Sequence, residues 1–350
     1  MFWADSMESS VQPNFTGRPM LTTAPMPQSA LAHPAKPGPD AVLPCASVPA
    51  ALDAERRWVA GPGPRIALYL SAPEPTEAVR ELTPLVLVHS VNAAASAAEV
   101  RPLFERYRAT RVVVALELPG FGSSERGPLE YTPKTMTDAI LRVLEYLRRA
   151  GFQSPVDLMA VSLSCEFAAY AAVAKPDWFR SIGLVSPTGL ESRWPQPYDG
   201  GRTKEKSLLR AALEMPLWSQ ALYWLLTTRA SMRYFLKRTW GSTSIDERLL
   251  AYNLLTARQP GARYAPLAFL SGALFTRGIA RVYARLPQPL WVAHGVRGDF
   301  TGYEGLAQIG PLANRTIDVF GTGALPYFET PSLFASRYDA FLQNALKLAR

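Results

Sequence analysis

From Arg57 onward the chain alternates between two hydrophobic rhythms. One is a short run that is apolar at nearly every position, at residues 84–89, 112–118, 156–161 and 181–185. Runs with no polar face suit strands buried on both sides of a parallel sheet. The other rhythm spaces apolar residues three and four apart. It fills residues 97–108, 133–150 and 163–174 and predicts helices between those strands. Strand and helix in alternation predict a doubly wound, mostly parallel sheet with right-handed crossovers. Ahead of it, residues 57–59 and 66–70 flank Gly61-Pro62-Gly63-Pro64 and read as a hairpin.

The alternation stops near Leu190. Up to Leu286 the pattern is helical and rich in aromatics, and its strongly apolar stretch at 264–275 is too short to span a bilayer. Residues 289–293 and 315–320 resume the strand pattern, and an amphipathic helix at 332–347 closes the chain. The expected organisation is a core formed by residues 51–189 and 287–350, interrupted by a helical cap at 190–286. Residues 1–50 hold nine prolines and little periodicity, and are expected to form a disordered, partly extended leader.

Composition narrows the function classes. The apolar and charged fractions, 48% and 19%, are those of a globular domain. Cys45 and Cys165 are far apart, and with three His (His33, His89, His294) they leave little material for a disulfide framework or a metal centre. No G-x-G-x-x-G or P-loop is present, so no cofactor is implied. The N-terminus lacks the basic and apolar regions of a signal peptide, and the expected location is cytoplasmic. The net charge of +8 is uneven: residues 191–240 carry nine Lys/Arg against four Asp/Glu, together with Trp194, Trp218, Trp224 and Trp240. A basic, aromatic cap makes peripheral contact with an anionic membrane surface a candidate role, beside the plainer reading of a solvated lid. No nucleic-acid motif accompanies the charge, so nucleic acid is not an expected partner. Oligomeric state is not encoded in any visible pattern.

The chemistry-bearing residues fall at the C-terminal ends of the predicted strands, where such sheets bind ligands. Val88-His89-Ser90-Val91-Asn92 ends the first of the buried runs, and Leu118-Pro119-Gly120-Phe121-Gly122-Ser123-Ser124 follows the next. Ala160-Val161-Ser162-Leu163-Ser164 places Ser162 between a strand and a helix. His294-Gly295-Val296-Arg297-Gly298-Asp299 and Gly323-Ala324-Leu325-Pro326-Tyr327-Phe328-Glu329-Thr330-Pro331 come after the last two strands. In this order the five segments resemble the α/β-hydrolase family, over roughly residues 57–350. The resemblance implies an eight-stranded α/β-hydrolase fold with Ser162 as nucleophile and Asp299 as triad acid. It also implies oxyanion donors from the N–H groups of Val91 and Leu163, the latter at a helix N-terminus, with the Asn92 amide in support. The chain departs from the family at Ser90, Ala160 and Ser164, where Gly is usual, and above all at Ala324, where the family has its catalytic His.

Alanine cannot take the serine proton or return it to a leaving group. His294, at the correct sheet edge, and Glu166, one turn beyond Ser162, are the candidate substitutes. Glu166 at a helix N-terminus is expected to be of low basicity, and His89 is expected to hydrogen-bond within its own loop. Two readings stay open. One is a serine-hydrolase-like esterase or acyl hydrolase with a degenerate triad, acting on an apolar acyl substrate held under cap aromatics (Trp218, Tyr223, Trp224, Tyr234, Phe235). The other is a catalytically inactive relative that uses the pocket to bind a ligand or protein. A substitution made to trap a substrate would explain Ala324 but not Ala160 or Ser164.

Overall fold

The computed structural model describes residues 48–71, 83–192, 200–310 and 313–348. Most of the expected leader and Cys45 and His33 lie outside them. The strands are β1 (Glu55–Val59), β2 (Ile66–Ser71), β3 (Leu85–Val88), β4 (Val113–Leu116), β5 (Val156–Val161), β6 (Phe179–Val185), β7 (Leu290–Gly295) and β8 (Arg315–Phe320). They form one eight-stranded sheet in the order β1-β2-β4-β3-β5-β6-β7-β8. β2 is antiparallel to both neighbours, β1 in the expected hairpin and β4, and every other pairing is parallel.

The helices outside the cap are α1 (Arg101–Tyr107), α2 (Pro133–Arg149) and α3 (Ser164–Ala174), and at the chain end α10 (Pro326–Glu329) and α11 (Pro331–Leu348). The periodicity of α2 puts Met136, Ala139, Ile140, Val143, Leu144 and Leu147 on one buried stripe, each large side chain contributing about 2 kcal/mol. Thr132 caps it by accepting from the Thr135 N–H, and Pro133 pre-sets the first turn. α2 and α3 pack on one face of the sheet, while α1 and α11 pack on the other around Trp291. Both faces of β3 to β7 are thereby covered, which is why those strands read as unbroken apolar runs.

The cap follows β6. It comprises α4 (Ser207–Leu213), α5 (Ser219–Leu226), α6 (Arg229–Trp240), α7 (Glu247–Ala257), α8 (Tyr264–Leu270) and α9 (Ala280–Ala284). No helix among the described residues is long and apolar enough to cross a membrane. The cap is held on the core by polar ties: Tyr223 Oη donates to Ala93 O (2.9 Å), Arg126 to Thr256 O (2.9 Å) and Arg101 to Asp246 (2.8 Å). The 93–94 loop under α5 immediately follows the segment that carries Val91.

Candidate active site

Ser162 lies between β5 and α3 in the left-handed region, at φ 56°. For a non-glycine residue this conformation costs roughly 1–2 kcal/mol. Hydrogen bonds on both sides hold it. The Ser162 N–H donates to Val185 O (2.8 Å), and Ser162 O accepts from the Cys165 N–H (3.1 Å). Ala160, in the strand before the turn, is fully buried. Ser164, the second departure from glycine, donates its hydroxyl to His89 O and thereby ties the turn to the loop after β3.

That loop is organised by a residue with no sequence signal. Glu99 is buried and accepts from the Ser90 N–H (2.9 Å) and from the Asn92 amide (2.5 Å). Asn92 Nδ2 also donates to Ser90 Oγ (3.0 Å), so the amide is turned toward Glu99 and Ser90 rather than toward an oxyanion. Among the described residues, neither the Val91 nor the Leu163 N–H donates to another loop carbonyl. Leu163 stands as the N-cap of α3, where free N–H groups and the helix dipole favour negative charge.

His89 is locked, as its loop position suggested. Its Nε2 accepts from the Leu118 N–H (3.0 Å) and its Nδ1 donates to Ser90 O (2.6 Å). Burial lowers its pKa to about 4. The 118–124 turn beneath it depends on Gly120 and Gly122, both at positive φ. A Cβ at Gly122 would overlap the Glu117 carboxylate, which accepts from the Ser123 N–H and the Ala97 N–H.

At the other side of the site, Ala324 is buried. Its N–H donates to Thr239 O (2.9 Å) in α6, and its carbonyl accepts from Ser186 Oγ (2.7 Å). Glu329 keeps the loop in shape by accepting from the Gly323 N–H (2.7 Å) while ion-paired with Arg297. The loop around Ala324 is therefore held from both sides by hydrogen bonds. Asp299 is bound outward: its carboxylate is ion-paired with Arg238, and its N–H donates to Arg238 O (3.2 Å). Arg238 also donates to Tyr234 Oη (2.7 Å).

His294 is the penultimate residue of β7 and is buried. Its Nδ1 donates to Gly295 O (2.9 Å), its ring stacks on Tyr303 (3.9 Å between centroids), and its Nε2 has no partner among the described residues. The Nδ1–H tautomer leaves the Nε2 lone pair unengaged, and burial lowers the pKa, so the ring is neutral near pH 7. Between β5 and β7 stands Ser186 at φ 48°, a second strained residue that nothing in the sequence marked.

Glu166 corrects an expectation. The helix N-terminus does not keep it a weak base, because complete burial dominates and raises its pKa to about 7. Its oxygens accept from Thr188 Oγ1 (2.6 Å) and the Thr276 N–H (2.7 Å). It joins the core to the α8–α9 link of the cap and is not directed at Ser162. Cys165 is a buried free thiol with its pKa raised by burial. The cap aromatics depart from expectation as well: Tyr223 is buried, whereas Trp218, Trp224, Tyr234 and Phe235 face outward. Among the described residues no side chain hydrogen-bonds to Ser162 Oγ, and no group of three or more His, Cys, Asp or Glu is placed to hold a metal.

Residues 85–337 match the profile of the alpha/beta hydrolase family. No curated protein matches the sequence significantly. Among solved structures, a serine hydrolase involved in carbazole degradation (CarC enzyme) is 18% identical with a TM-score of 0.62, covering 83% of this chain and 98% of its own. A probable hydrolytic enzyme from Pseudomonas aeruginosa PAO1 is 17% identical with a TM-score of 0.63 and coverages of 85% and 96%. The carboxylesterase CesB from Bacillus subtilis is 14% identical with a TM-score of 0.59 and coverages of 83% and 92%. At such identities the structural likeness speaks for the fold alone. With a family match over residues 85–337, most of its length, the chain belongs to the alpha/beta hydrolase family.

Proposed function

We propose that Ser162 is the nucleophile position of a serine-hydrolase-like site for ester or acyl bonds, working with an incomplete triad. The observation that carries this reading is the strained backbone of Ser162. A left-handed non-glycine residue between a buried strand and a helix has no structural benefit that glycine would not supply at lower cost. The neighbouring N–H groups of Val91 and Leu163 fit the role of oxyanion donors.

Loss of the base alone costs roughly 10⁴–10⁶ in turnover in such enzymes, with roughly 10³–10⁴ over water retained through the oxyanion hole and binding. The expected activity is correspondingly weak. The test is labelling with a fluorophosphonate probe and hydrolysis of p-nitrophenyl esters of increasing chain length. Ala324→His should raise esterase activity by at least about a hundredfold, the usual contribution of a general base. If labelling of Ser162 in the native chain is lost in His294→Ala, the proton is taken by His294 Nε2. No labelling of either the native chain or Ala324→His sinks the catalytic reading.

The second reading, a pocket kept for binding without turnover, is favoured by Asp299. A triad acid orients an imidazole, and this carboxylate is instead engaged by Arg238 on the surface. Tight binding of a fatty acid or its ester, with no release of alcohol, would decide for it.

A further inference from the structure

The start of the cap is built against the usual rule for a helix in water. α4, Ser-Leu-Leu-Arg-Ala-Ala-Leu, has no buried residue at all, and Leu208 is 90% exposed. The turn that follows exposes Met215, Leu217 (86%) and Trp218. α5 buries only Ser219 and Tyr223 and turns Trp224 and Leu225 outward. Residues 215–226 contain no charged side chain. Trp218 Nε1 is satisfied within the segment by Ala212 O (2.9 Å), so the exposed ring needs no polar partner from solvent. Contiguous apolar surface of this kind marks a contact site.

Charge identifies the partner. Residues 202–206 run extended against the 271–277 segment: Lys204 N–H donates to Phe275 O (2.9 Å), Lys206 N–H to Ser271 O (2.9 Å) and Arg277 N–H to Arg202 O (3.0 Å). The period of two in an extended chain puts Arg202, Lys204 and Lys206 outward, with Arg277 beside them, and all four are exposed. None of the four has an ion-pair partner among the described residues, whereas Arg210, on α4 itself, is paired with Glu205 and Glu214. A row of unpaired cations thus leads directly into the uncovered apolar helix. That is the composition of a surface that lies in the headgroup layer of an anionic bilayer, with apolar side chains below and cations at phosphate level. A second copy of the chain fits less well, because a two-fold contact through this patch would bring two such rows together.

We propose that α4, the 215–218 turn and α5 dock the protein on anionic lipid bilayers. The docking stands independently of any chemistry at Ser162, and Ser162→Ala is expected to bind as the native chain does. The experiment is flotation of the full chain with phosphatidylcholine vesicles with and without phosphatidylglycerol, alongside tryptophan emission and sedimentation velocity without lipid. Binding should require phosphatidylglycerol, fall with salt and blue-shift the emission. Lys204→Glu with Lys206→Glu should weaken it at least about tenfold. Leu217→Asp with Leu225→Asp should abolish it with unfolding temperature unchanged, since these side chains are exposed. Binding equally to neutral vesicles, no binding to either kind, or a dimer in solution that Leu217→Asp with Leu225→Asp dissolves without any vesicle binding would each overturn the proposal.

Discussion

Ser162 shows what the site costs. Its left-handed backbone is a local strain that glycine would relieve, so Ser162→Gly should stabilise the protein by about 1 kcal/mol, whereas Ser162→Ala, which keeps a Cβ, should not. Urea unfolding of the two variants reads the difference, and equal stabilities would remove the strain argument. The residues of the site were unevenly legible from sequence. Ser162 stood out because it falls between a buried apolar run and a helical stretch, and Ala324 because it sits among Gly323, Pro326 and Pro331. Glu99 and Ser186 were not, because a buried carboxylate in an alanine-rich stretch and a serine after a strand carry no pattern. Glu166 was visible but its basicity was misjudged, since sequence reveals the helix terminus and not the complete burial that outweighs it.

At the scale of elements, the apolar runs located the strands to within a few residues. β5 and β8 were legible to the residue, whereas β7 extends through His294 and Gly295, because an imidazole and a glycine end an apolar run early. Cap helices were harder to interpret. Aromatic spacing suggested a pocket lining, and the outward turn of Trp224 depends on which stripe Tyr223 claims against Ala93, a tertiary choice. The 118–124 turn is the element with least tolerance. Gly122 combines positive φ with the Glu117 carboxylate against its Cα, so Gly122→Ala should cost roughly 3 kcal/mol or more. Thermal unfolding checks it, and a loss below about 1 kcal/mol would mean Glu117 can move aside.

For the molecule as a whole, buried ionisable groups set how stability varies with pH. Glu166 has a folded pKa of about 7, raised by burial from the ordinary carboxylate value of 4.5. Between these values the folded state holds a proton that the unfolded state has released. Stability from this group is therefore greatest at low pH and falls as pH rises through 7, by a few kcal/mol. Glu99 and Glu117, also raised by burial, act with the same sign. His89 opposes them at the acid end: with a folded pKa near 4 it loses stability as pH falls below 6.5. Glu166→Gln should flatten the decline in unfolding free energy between pH 5.5 and pH 8, measured by urea titration at several pH values. An unchanged slope would show that this carboxyl is not the source.

The last turn of α6 touches both functional loops. Arg238 O receives the Asp299 N–H, Thr239 O receives the Ala324 N–H, and the Trp240 backbone lies where a side chain at Gly323 would have to go. On the proposed reading, this end of the cap is hung on the acid and base positions themselves. A ligand admitted there would have to pull those positions apart.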